Sequence, residues 1–221
     1  MWPYKKISSP CFAFISSESS PLNKLYLGGS LSHGIQKNDL GGITFTTPAQ
    51  TNVFVFNDSV TQNGKANIYG FDLEWLLKRF SLKGEFLNYR LTNLKKNNSI
   101  FDFEAEGCYL TATFLITGES KKRNAFIKPK KEFDLIKGNW GAFELIARYE
   151  NAKLPSSLLL AGVAKGVNNL KAITVGVNWY LNDDVKLVLN YSKYSYQENL
   201  LVENRLYSGS SNVFVRAQFQ F

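Results

Sequence analysis

The chain has 221 residues, a mass of 25.0 kDa and 44% hydrophobic residues, enough apolar material for one domain and too little for two large ones. Its longest apolar stretches, 157–164 and 109–116, fall well short of the roughly 20 residues that a membrane-spanning helix requires, which excludes a helical membrane protein. Lysine and arginine exceed aspartate and glutamate by 26 to 18, and the resulting charge of +8 favours anionic partners, whether small solutes, nucleic acid or acidic lipid.

The opening MWPYKKISSPCFAFISSESS places two lysines before a few apolar residues broken by serines, a poor match to a secretory signal with its continuous apolar core. Cys11 lies in this stretch and Cys108 inside a strand-like segment, so the two cysteines suggest neither a metal site nor a disulfide framework. The first credible strand is KLYLGGSLSH, with Leu25, Leu27 and Leu31 on one face. Residues 34–65 then read as an unusually long loop. A hairpin follows over 68–89: Tyr69, Phe71, Leu73 and Trp75 oppose Asp72 and Glu74, a short link at Lys78 and Arg79 turns the chain, and Glu85 alternates with Phe86. The segment GCYLTATFLIT sets Leu110, Ala112, Phe114 and Ile116 against Tyr109, Thr111, Thr113 and Thr117. In GAFELIARYE, Phe143, Leu145, Ala147 and Tyr149 oppose Glu144, Ile146, Arg148 and Glu150. Ile173, Val175, Val177 and Trp179 share a face opposite Thr174, Gly176, Asn178 and Tyr180; a turn at Asn182, Asp183 and Asp184 leads into Val185, Leu187, Leu189 and Tyr191 against Lys186, Val188, Asn190 and Ser192. The closing NVFVRAQFQF aligns Val213, Val215, Ala217, Phe219 and Phe221 opposite Arg216, Gln218 and Gln220.

These segments make about eight strands near the 9 to 11 residues that cross a bilayer at a tilt, which predicts an all-β, antiparallel transmembrane barrel. The links at Lys78 and Asn182 read as short, and those at Leu94–Asn98, Lys153–Asn168 and Glu198–Ser211 as long and polar, the alternation typical of outer-membrane barrels. The basic run ESKKRNAFIKPKKEF departs from it by falling on the short-turn side. Trp75, Trp140, Trp179, Tyr180, Tyr149 and Tyr194 sit near predicted strand ends, as interfacial aromatics do. Alternation alone does not say whether the apolar face points outward to lipid or inward to the core of a soluble sandwich. Ending the chain on an apolar strand residue, Phe221, favours a barrel closed by its last strand.

The blocks GCYLTATFLITGES, KPKKEF, WGAFELIARYE, ITVGVNWYLNDDVKLVLNYS and VFVRAQFQF, preceded by LYLGGSLSHG and LEWLLKRFSLKGEF, occur in the order seen in the phosphate-selective porins O and P, which this chain resembles over residues 22–221. Residues 1–21 match nothing clearly. The resemblance implies the carboxy-terminal half of a 16-stranded porin in the outer membrane of a Gram-negative bacterium, here truncated or split. It further implies passive diffusion of anions such as phosphate, a lipid bilayer around the wall, and no cofactor or metal. Phe221 then resembles the signal read by the outer-membrane assembly machinery.

With the polar face as the lumen, the candidate basic residues are Lys83, Arg148, Lys186 and Arg216, and the candidate acidic ones Asp72, Glu74, Glu85 and Glu144. Such arginines guide ions or brace the wall by pairing with carboxylates, and both readings stay open. Lys121, Lys122, Arg123, Lys128, Lys130 and Lys131 carry much of the remaining charge, as a solvated face or an anion funnel. Eight strands alone enclose a space just filled by side chains, so conduction requires a missing amino-terminal half or a homo-oligomer. A non-conducting small barrel, a fragment without function, and a soluble basic β-barrel binding a ligand or nucleic acid are the competing readings. Nucleic acid is disfavoured because most strand aromatics share the apolar face. His33 is the one histidine, and no P-loop, CxxC or HExxH pattern is present, so an enzyme is not expected.

Overall fold

A computed structural model describes residues 24–123, 125–202 and 205–220; the opening segment 1–21, with Cys11, and the terminal Phe221 lie outside them. The described chain folds as β1 (Leu25–Asp39), β2 (Thr44–Thr46), β3 (Asn52–Phe56), β4 (Thr61–Leu77), β5 (Phe80–Lys96), β6 (Ser99–Leu115), β7 (Ala142–Lys153), a short helix α1 (Ser156–Leu160), β8 (Ala164–Gly166), β9 (Asn169–Tyr180), β10 (Val185–Val202) and β11 (Arg205–Phe219). Eight of the strands form one sheet in the order β1-β4-β5-β6-β7-β9-β10-β11, every pair antiparallel; β2, β3 and β8 form a separate three-stranded sheet. The large sheet is open: among the described residues β1 and β11 have no partner on their outer edges.

The sheet's two faces are distinguished by what covers them. On the apolar face Phe71, Leu110, Leu145, Ile173, Val175, Leu189, Val213 and Val215 stand exposed. On the opposite face Glu144, Thr174, Asn178 and Ser192 are buried. Covering the polar side and baring the greasy one is the inverse of a soluble sandwich, whose alternating strands bury the apolar set. The sheet therefore has the sidedness of a membrane barrel wall.

Two expected loops are absent. Leu94–Asn98 contains only a two-residue turn between β5 and β6, with Asn97 at φ 53°, a left-handed conformation that asparagine tolerates. Most of Glu198–Ser211 is likewise strand, with β10 running to Val202 and β11 starting at Arg205. Backbone pairing extends these hairpins past the apolar band, where side chains carry no alternation to announce it. The supposed loop 34–65 shrinks to 40–60 for the same reason and contains β2 and β3. Lys153–Asn168 is a true excursion holding α1 and β8, and the turns at Lys78–Arg79 and 181–184 are short. Strand parity holds throughout, so the basic run does lie on the short-turn side, where the Lys121 amide donates to the Lys78 carbonyl (2.7 Å) and the Phe133 amide to that of Leu181 (2.7 Å).

Candidate functional site

The site is the polar face, and the register builds it row by row. One row crosses all eight strands through Tyr26, Glu74, Lys83, Thr111, Arg148, Thr174, Ser192 and Asn212. The next towards the long-loop end runs Gly28, Asp72, Glu85, Tyr109, Glu150, Ala172, Tyr194 and Ser210. Towards the short turns lies a row through Leu115, Glu144, Asn178, Val188 and Arg216, with Lys186 one step beyond Val188. Since side chains alternate with period two, this register alone places the eight charged candidates on one face.

Their surroundings divide them. Arg148 braces the wall: its guanidinium donates to Thr111 (3.1 Å) and Glu150 (2.8 Å) and stacks 3.7 Å over the Tyr109 ring. Glu74 pairs with Arg123 (3.2 Å), which also lies 4.1 Å over Tyr26. Glu144, 3% exposed, is the most deeply enclosed, bonded to the Lys121 ammonium, to Asn178 Nδ2 (2.7 Å) and to the Tyr180 hydroxyl (2.8 Å). Lys83, Lys186 and Arg216 form no ion pair among the described residues. Asp72 and Glu85 are exposed. Lys186 is half-buried, 5.4 Å from the centres of the Phe126 and Tyr180 rings.

Folded segments cover the face at both ends. At the long-loop end, Phe54, Phe56 and Val60 from the β1–β4 link and Leu158, Val163 and Ala164 from the β7–β9 link pack on Ala66, Leu91, Leu94 and Phe103 of the wall. At the short-turn end, residues 117–123 and 125–132 form a strap whose Ile127 packs with Leu115, Ala142 and Tyr180. Lys121 of the strap is 8% exposed and also bonds Ser81 (3.0 Å) and Thr113. This basic residue is thus neither a solvated charge nor part of an open funnel, because Glu144 neutralises it beneath the strap. Outside the strands, Lys128 is raised from its ordinary pKa by its bond to Asp183 (2.6 Å). Between the two coverings a cleft of about 390 Å³ is lined by Phe45, Thr47, Glu85, Tyr109, Glu150 and Tyr194 among others.

Sequence reasoning missed the Lys121–Glu144 bond, the part of Tyr180 in it, and the three-stranded sheet. The one local signal for the first was the pair Phe126 and Ile127 inside a basic run, apolar residues that need cover. Among the described residues no group of three His, Cys, Asp or Glu side chains gathers as a metal site.

Comparison with known proteins places this arrangement. The family model described as phosphate-selective porin O and P matches residues 12–221. The chain is 32% identical over 133 residues to Porin O of Pseudomonas aeruginosa, an alignment covering 58% of this chain and 29% of that relative. Among solved structures it is similar to outer-membrane expressed OmpT of Vibrio cholerae, with a TM-score of 0.48 and 12% identity over 88% of this chain and 51% of that one.

Proposed function

This chain belongs to the phosphate-selective porin O and P family, and we propose that it supplies part of the wall and lining of a pore for passive diffusion of anions such as phosphate. Its place is the outer membrane of a Gram-negative bacterium. The observation that carries the reading is the bared apolar face of an eight-stranded sheet whose covered polar face holds Lys83, Lys186 and Arg216 without carboxylate partners. Wall charges set the potential that a passing ion meets, and Lys83, Lys186 and Arg216 outnumber Asp72 and Glu85, the carboxylates among the eight candidates that form no ion pair in the described residues, a balance that lowers the barrier for anions. Arg148 and Glu144, both engaged with wall or strap, act as braces in this reading. A pore moves solutes without bond chemistry, so no nucleophile or general base is assigned.

Eight strands alone do not make the channel. An eight-stranded barrel is filled by its own side chains, yet here the polar side must also accommodate the three-stranded sheet, α1 and the strap. Closure therefore takes further strands on the β1 and β11 edges, from more of a longer chain or from a second copy. The decisive experiment is the reversal potential of the assembled protein in a planar bilayer under a phosphate gradient. Anion selectivity that falls when Lys83, Lys186 and Arg216 are together changed to Gln supports the proposal. Selectivity unmoved by that change, or a preference for cations, overturns it.

A further inference from the structure

The link between β6 and β7 does not stay on one side of the wall. Its first part is the strap on the polar face; its second, Phe133–Trp140, emerges on the apolar face. There Phe133 packs edge-on against Trp179 with ring centres 5.3 Å apart, and Trp179 stacks on Phe143 at 5.6 Å. Trp179 and Phe143 are register partners on the exposed apolar side.

This segment is a small closed hairpin. Asp134 and Asn139 exchange backbone hydrogen bonds of 3.0 and 2.9 Å, and Gly138 turns the chain at φ 66°. The Asp134 carboxylate accepts from the amides of Ile136 (3.0 Å) and Lys137 (3.2 Å) and pairs with the Lys137 ammonium at 2.9 Å. The Gly138 amide donates to Leu135, and the Trp140 carbonyl accepts from the indole of Trp179 (2.6 Å). With the amides of Asp134, Ile136, Lys137, Gly138 and Asn139 bonded within the segment, the hairpin thrusts out two purely aliphatic side chains, Leu135 at 70% exposure and Ile136 at 98%. Turns in water close the same amide bonds, so the bonding alone assigns no medium; the two exposed aliphatic side chains at the tip are what gain from leaving water, and the closed amides let them do so without stranding donors.

We propose that the Phe133–Trp140 hairpin is a lipid-facing foot, its Leu135–Ile136 tip resting in the interfacial zone of the bilayer at the short-turn end of the wall. Two observations favour lipid over a protein partner. The base of the hairpin sits on the apolar face through Phe133 against Trp179, and Phe133 also contacts Trp140, both tryptophans being the residue type enriched where hydrocarbon meets headgroups. The inference rests on the membrane-wall reading.

The test uses the full chain in proteoliposomes, with Cys11→Ser and Cys108→Ser and a single new cysteine carrying an environment-sensitive fluorophore. Ile136→Cys is the probe, at a position without packing to disturb, and Leu189→Cys on the bare apolar face is the control. The expected result is blue-shifted emission at both positions, quenched by brominated lipids and little affected by aqueous iodide. Lipid quenching at 189 with iodide quenching at 136 overturns the foot and leaves the wall standing. Protection from both quenchers at 136 also overturns it, pointing to a second copy or another protein over the tip. Iodide quenching at both positions overturns the membrane reading itself.

Discussion

The two coverings of the polar face are built from opposite materials. At the long-loop end, links more than 100 residues apart interleave as a three-stranded sheet, whose Phe54 is wholly buried and packs on Phe45, Phe56 and Phe103 at centroid distances between 5.4 and 5.9 Å. Asn57 Nδ2 ties them by donating to the Gly162 carbonyl, a contact spanning 105 positions. At the short-turn end, one continuous strap is pinned by an ammonium between a carboxylate and two hydroxyls. Even the glycines at the two ends differ in use. Gly166 (φ 133°) lets β8 lie against the backbone of Val53, whereas Gly141 (φ 71°), beyond the strap and directly before β7, lets the chain pass the Tyr180 carbonyl, 2.2 Å from where a side chain would begin. Apolar packing is non-directional and tolerates neighbours of similar volume, while a buried ion pair demands both partners at once. The first covering is therefore held by many apolar contacts at once, and the second only as long as its lock is complete.

Removing one member from each covering tests that contrast. Phe54→Ala empties the centre of the aromatic cluster and is expected to cost about 3–5 kcal/mol, read from the guanidinium unfolding midpoint in detergent. A loss below about 1 kcal/mol would mean that the small sheet is only draped on the wall. Lys121→Met leaves the Glu144 carboxylate enclosed with only Asn178 and Tyr180 as donors, at an expected cost of about 3 kcal/mol. Adding Glu144→Leu should then recover most of that loss, because an apolar pair replaces a broken ionic one. If the double variant is as unstable as the sum of the singles, the lock is not a coupled unit.

The smallest effect distinguishes the strap from its foot. Asp134 is held below the usual carboxylate range by its bonds to Lys137, so its folded-state pKa lies under the unfolded value. Its contribution is complete above the unfolded pKa near 3.9 and is lost as pH falls through the depressed value. Acid should thus loosen the hairpin tip, seen as lower amide protection at Ile136 and Lys137 relative to the intrinsic exchange rate at the same pH, and Asp134→Asn should abolish the pH dependence of that protection. Because the Asp134–Lys137 pair is well exposed, the change in global stability should be slight.

The alternation of Leu145, Ala147 and Tyr149 against Glu144 and Arg148, repeated strand after strand, is enough to read antiparallel strands and a common face for the eight charged candidates, while parity across 34–65 and 119–138 comes from the sheet order. That pattern is a property of consecutive residues, since a strand's side chains alternate whatever lies beside it. Where β5, β6, β10 and β11 run on through polar sequence, the pattern stops and the strands do not, so turns were mistaken for long loops. Periodicity also carries no record of what folds over a face. The meeting of Lys121 with Glu144, the knitting of 40–60 with 154–168, and the passage of one link from the polar side to the apolar side depend on contacts between distant segments. The sequence by itself determined the strands and which side chains share each face; tertiary structure decided which face is bare, which charges are locked and which stay free. Burial and pairing are settled by neighbours in space, and period two in the chain does not encode those neighbours.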